Sequence, residues 1–100
     1  AIYPALMEIE RHPERHISIS QLSKICFISE SSLRRKFHEY TGTSPLAYRN
    51  IIRIQKADEL LKSSLYTVEL VSNILGFTDS AHFCKTYRRL RGCSPKTHKQ

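Results

Sequence analysis

The sequence has no tryptophan, only three glycines, four prolines and three cysteines, and nine acidic side chains against sixteen lysines and arginines. Each shortage closes off a class of protein. No apolar run approaches the ~20 residues that cross a bilayer. The opening residues lack a basic start followed by a long apolar stretch, so no signal peptide is expected either. Cys26, Cys84 and Cys93 form no CxxC pair, and reduced thiols in a cytoplasmic protein, with no metal site, are the expectation. The few glycines build no phosphate-cradling loop, and no nucleophile–base motif stands anywhere, so no enzyme, catalytic residue or cofactor is expected. Runs at the strand period are missing, which makes the predicted fold all-α.

What is present points to an anionic partner. The formal charge is +7, the sequence pI is about 9.6, and 40% of the residues are hydrophobic. That composition supports one modest core or two small lobes, with a cationic surface suited to nucleic acid.

The chain also repeats itself. Thr41-Gly42-Thr43-Ser44-Pro45 returns fifty residues later as Arg91-Gly92-Cys93-Ser94-Pro95, and Leu33 to Phe37 matches Phe83 to Tyr87 at the same offset. Upstream the offset is 49, pairing Ser18-Ile19 with Thr67-Val68 and Leu22-Ser23 with Val71-Ser72. One inserted residue after Thr78 reconciles the two. Two copies of one supersecondary unit account for the pattern.

Each copy reads as two short helices and a tight turn. Ser18 is placed to cap the first helix, with Gln21 three residues on to complete a capping box. Ser29 caps the second, where Leu33, Phe37 and Tyr40 are expected to face inward, and Gly42 suits the left-handed residue that ends it. Thr67 and either Thr78 or Asp79 take the capping roles in the second copy, with Phe83, Tyr87 and Leu90 inward and Gly92 as the stop. An opening helix is expected from about Pro4 to Arg11, with Leu6, Ile9 and Tyr3 on its inner side. Between the copies, Ser44 caps a linking helix that starts at Pro45 and ends near Ser63. Its apolar stripe is Ala47, Ile51, Ile54, Ala57 and Leu61. Arg49, Arg53 and Lys56 fall roughly 130° away and are read as a basic face. The expected organisation is a first helix-turn-helix lobe at residues 1–43, a linking helix at 44–64 and a second lobe at 65–100.

A helix-turn-helix places its second helix in the major groove of DNA. The outward face of that helix carries Ser31, Arg34, Arg35 and His38 in the first copy, and Ser80, Ala81, His82, Cys84 and Lys85 in the second. Arg34 and Arg35 are the strongest candidates for reading bases, because a guanidinium donates two bonds to guanine. His38, Arg49, Arg53, Lys56, Arg88 and Arg89 are the candidate phosphate contacts, with Arg91 following in the same run. The second helix is poorer in strong base readers and is expected to add affinity more than specificity. A linking helix of about 19 residues spans roughly 28 Å, which lets two such helices sit one DNA turn, about 34 Å, apart. The competing expectation is a basic α-helical protein-interaction module, which would need an exposed apolar patch.

These residues resemble a known family. Leu75-Gly76-Phe77-Thr78-Asp79, followed by Phe83, Tyr87, Arg88, Gly92 and Ser94-Pro95, is similar to the signature of the AraC/XylS transcription regulators of bacteria, and residues 33–48 fit its first unit. The resemblance covers essentially the whole chain. It implies about seven helices in two helix-turn-helix subdomains, promoter binding that usually activates transcription, and contact with RNA polymerase. It puts base contacts on Ser31, Arg34, Arg35, Ser80, Ala81, His82, Cys84 and Lys85. An effector or dimerisation domain is expected outside these residues, so the chain is read as part of a longer regulator. Departures from the pattern are Ser23 and Ser72 for a usual Ala, Phe27 where the first turn often has Gly, Tyr87 for Phe, and His98-Lys99 for Tyr-Arg.

Overall fold

In the computed structural model, which describes residues 2–95, six helices follow one another through short connections. They are α1 (Tyr3–Arg11), α2 (Ile19–Cys26), α3 (Glu30–Thr41), α4 (Pro45–Leu61), α5 (Val68–Ile74) and α6 (Ser80–Arg91). No strand occurs among the described residues, and no helix is long and apolar enough to cross a membrane. The seventh helix implied by the resemblance falls after Pro95, outside the described residues.

Local chemistry starts these helices where the sequence expects. The Ser18 hydroxyl accepts from the Gln21 N–H at 3.1 Å while the Gln21 side chain accepts from the Ser18 N–H at 2.9 Å, a complete capping box on α2. Ser29 caps α3, Ser44 accepts from the Ala47 N–H at the start of α4, and Thr67 caps α5. Of the two candidates ahead of α6, Asp79 takes the role, its carboxylate accepting from the His82 N–H at 2.8 Å. Gly42 and Gly92 close α3 and α6 at φ 80° and 79°, a left-handed turn that a Cβ disfavours.

The chain forms two compact units, Ala1–Asn50 and Ile51–Gln100. In the first, Ala5, Leu6 and Ile9 of α1, Leu22 and Cys26 of α2, and Leu33 and Phe37 of α3 are buried. In the second, Ile54, Ala57 and Leu61 of α4 share a core with Val68, Val71, Leu75, Phe77, Phe83 and Tyr87. The polar side chains at the edges of these cores are tied down. The Tyr48 hydroxyl donates to Glu10, and Tyr87 donates to Asp58 at 2.6 Å, where Arg91 also binds at 2.7 Å. Burial, then the bond to each carboxylate and its charge, push the Tyr48 hydroxyl up to about 12 and raise that of Tyr87 further above its ordinary value.

Three inward expectations are corrected. Tyr3 and Tyr40 are exposed and Leu90 is at the surface. Tyr40 and Leu90 lie one turn beyond Phe37 and Tyr87 on the same helix faces, where α3 and α6 outrun the cores beneath them. The turn at Phe27 keeps the geometry of the second copy's turn without its glycine. Phe27 adopts φ 57°, as Gly76 adopts φ 77° in the second copy, and the Ser23 and Ser72 carbonyls accept from Ile28 and Phe77 in the same way, at 3.1 Å in each turn.

Candidate nucleic-acid interface

The proposed reading helices α3 and α6 are matched elements. Both run twelve residues, both start from an oxygen cap, and both end on a left-handed glycine. Leu33 and Phe37 on one, and Phe83 and Tyr87 on the other, are fully buried, which fixes the rotation of each helix about its axis. The outward positions therefore correspond one to one. Arg34 stands where α6 has Cys84, Arg35 where it has Lys85, and Ser31 where it has Ala81.

On α3, Ser31, Arg34, Arg35 and His38 are all exposed. Arg34 makes a 3.8 Å ion pair with Glu30 one turn back, a contact between two half-exposed groups that costs little to release. Arg35 has no ion-pair partner among the described residues. On α6, Ala81, His82 and Lys85 are exposed, and Ser80 and Cys84 are half-buried. Arg88 and Arg89 are exposed about one turn further along. Ala81, Cys84, Lys85, Arg88 and Arg89 together line a surface groove of about 460 Å³, in which three cationic side chains meet two small ones. His82 lies edge-on to Phe77, ring centroids 5.4 Å apart.

The expected basic face of α4 is not a face to solvent. Arg49 is buried, donating from Nε to the Pro13 carbonyl at 2.9 Å and from an Nη to the Glu14 carbonyl at 3.5 Å. Its burial lowers the guanidinium's proton affinity, and Glu14 partly offsets that. Arg53 is also buried, with Nε on the Leu75 carbonyl at 3.0 Å and an Nη on the Gly76 carbonyl at 2.7 Å, and it lies 3.8 Å from the Phe77 ring centroid. Both are thereby removed from the phosphate-contact expectation. The physical reason is that α4 serves unit 1 with its first part and unit 2 with its second, so no single stripe describes what it buries. Lys56 is half-buried, and Arg91 is held by Asp58.

Phe77 and Asp58 were not singled out from the sequence as parts of this arrangement. Phe77 is legible only as an aromatic just past the turn glycine, and its contact with His82 has no sequence signature. His12 and His16 stand four apart, a helical metal spacing, but the segment between α1 and α2 is not helical. Among the described residues no group of three or more His, Cys, Asp or Glu is placed to hold a metal.

Residues 22–100 match a family described as a helix-turn-helix domain. The regulator GbdR of Pseudomonas aeruginosa is 32% identical over 101 residues, covering 97% of this chain and 28% of its own length. The transcriptional activator RhaS of Escherichia fergusonii is 33% identical over 92 residues, covering 92% of this chain and 33% of its own. A transcriptional regulator of Chromobacterium violaceum with an AraC-type DNA-binding domain superposes with a TM-score of 0.89 at 26% identity, covering 98% of this chain and 88% of that one. The chain belongs to the AraC/XylS family of bacterial transcription regulators. As an AraC/XylS domain it is a DNA-binding module and not an enzyme. The fold is shared with the DNA-binding domain of AdpA, solved in complex with a target DNA, at a TM-score of 0.90 and 24% identity over 98% of this chain and 88% of that one. The AraC/XylS chain described here spans about a third of the length of the curated relatives it matches.

Proposed function

We propose that this AraC/XylS domain recognises an asymmetric promoter site by inserting α3 and α6 into successive major grooves. The observation that carries the reading is the shared register of the two helices, which turns hydrogen-bonding and cationic side chains outward on both. Arg34 and Arg35 read bases in one block, guanine being their natural partner, with Ser31 beside them. In the other block Ser80, His82 and Lys85 supply polar contacts, while Ala81 and Cys84 offer apolar surface to a thymine methyl group. His38, Lys56, Arg88 and Arg89 take phosphates. The groups in corresponding positions differ between α3 and α6, so the two half-sites differ and the operator is not a palindrome.

The two lobes act as the two reading heads, one carrying α3 and the other α6. We assign the regulator to the cytoplasm and its usual output to activation through RNA polymerase, in line with relatives named as transcriptional activators. A domain for an effector or for dimerisation belongs to the rest of the protein.

Selection of the purified domain on random duplex DNA, at two salt concentrations, tests this directly. An enriched asymmetric motif of two blocks about ten base pairs apart is the expected result. Binding that depends on salt but enriches no motif would reduce the domain to an electrostatic binder. No binding at low salt would favour a protein-interaction module.

A further inference from the structure

We propose that Arg53 is a positioning residue for base reading by α6, acting through Phe77 on His82. The inference rests on the reading of α6 given above, and it assigns a role to a buried arginine that touches no DNA.

Two adjacent carbonyls, those of Leu75 and Gly76, accept from the Arg53 Nε and Nη at 3.0 and 2.7 Å. Only a planar fork holds two neighbouring acceptors in this way; a lysine ammonium is a single point with freely turning donors. The clamped carbonyls are those of the turn between α5 and α6. The same guanidinium lies 3.8 Å from the Phe77 ring centroid, a cation–π contact strengthened by burial. The Phe77 ring in turn meets two residues of α6, Phe83 at 5.2 Å in the core and His82 at 5.4 Å on the outside.

His82 is thus located at both ends. Its N–H is held by the Asp79 carboxylate, and its imidazole is set edge-on by a ring that Arg53 backs. A surface histidine with free rotamers would lose that freedom on meeting a base; one already held loses less. Arg49 is the internal control. It clamps the Pro13 and Glu14 carbonyls in unit 1 with a similar pair of donors, but among the described residues no aromatic stack links it to a reading residue.

The test compares the wild-type domain with Arg53→Lys, Arg49→Lys, His82→Ala and the Arg53→Lys/His82→Ala pair, each checked for folding by circular dichroism. All go through selection on random duplexes and a salt titration. Arg53→Lys is expected to keep the α3 block and the salt slope and to lose about fivefold to tenfold preference at the base read by His82. The double variant should lose no more there than His82→Ala alone. Arg49→Lys should leave both blocks intact. Should Arg53→Lys fail to fold, Phe77→Leu leaves the carbonyl clamp in place, and the same selective loss is expected of it.

An unchanged motif in Arg53→Lys would make the clamp merely structural and overturn the proposal. So would losses that multiply in the double variant. A uniform loss on every DNA with a flatter salt slope would return Arg53 to phosphate contact. If the wild-type domain enriches no motif, the base-reading assignment of α6 fails first and this inference with it.

Discussion

Phe27 holds a left-handed backbone, φ 57°, while its ring is 93% exposed and packs on almost nothing. An L-residue there is strained by about 1–2 kcal/mol, and glycine returns part of that relief as extra freedom in the unfolded chain. Phe27→Gly should therefore raise stability by about 1 kcal/mol in urea denaturation. A loss of stability would show that the ring makes contacts that matter. Arg35 is the opposite kind of residue, exposed and without an ion-pair partner among the described residues. Arg35→Ala is expected to cost ~1–3 kcal/mol of preference at one base pair and to leave stability unchanged. Equal weakening on all duplexes would move Arg35 from the bases to the phosphates.

Among the elements, α4 departs most from its sequence pattern. Its apolar stripe reads correctly for Ile54, Ala57 and Leu61, all buried, whereas Arg49 and Arg53 look like a solvated face and are buried too. The caps behave differently, because each is settled within three or four residues, and Ser18, Ser29, Ser44 and Thr67 all act as their positions imply. Ties from α4 also make its stability sensitive to pH. Tyr48 and Tyr87 hold their protons more tightly in the fold than the ordinary tyrosine value of 10.0, through burial and the carboxylates of Glu10 and Asp58. A raised value means that this contribution is complete below about pH 10 and is lost as pH climbs through the folded values, the one for Tyr48 near 12. The wild-type domain should lose stability between pH 10 and 12, and Tyr48→Phe/Tyr87→Phe should show a flatter curve over that window in urea melts. Parallel curves would mean that neither hydroxyl is linked to folding.

For the molecule as a whole, the charge of +7 sets a salt-dependent affinity for any duplex, on which base reading is superimposed. Arg88 and Arg89 are exposed and line the α6 groove, and the proposed function assigns part of that affinity to them. Arg88→Ala should weaken binding to all sequences alike and lower the slope of log affinity against log salt by about 0.9. An unchanged slope would strike Arg88 from the phosphate contacts, leaving the remaining exposed cations to account for the term.

Read along the chain alone, the residues give the number and order of the described helices, the caps that start α2 to α6, the glycine stops of α3 and α6, and the exposed positions Ser31, Arg34, Arg35 and His38 on α3. Those features depend on neighbours within a turn or two, and the internal repeat allowed each copy to check the other. Tertiary structure decided the rest. Where a core ends is invisible along one helix, so Tyr40 and Leu90 share an apolar register with Phe37 and Tyr87 yet reach the surface. Which carbonyls need a donor depends on segments distant in the chain, 36 residues away for Arg49 and 22 for Arg53. An arginine whose partners are buried main-chain oxygens carries the same letter as one that waits for a phosphate, and only the packing around it tells them apart.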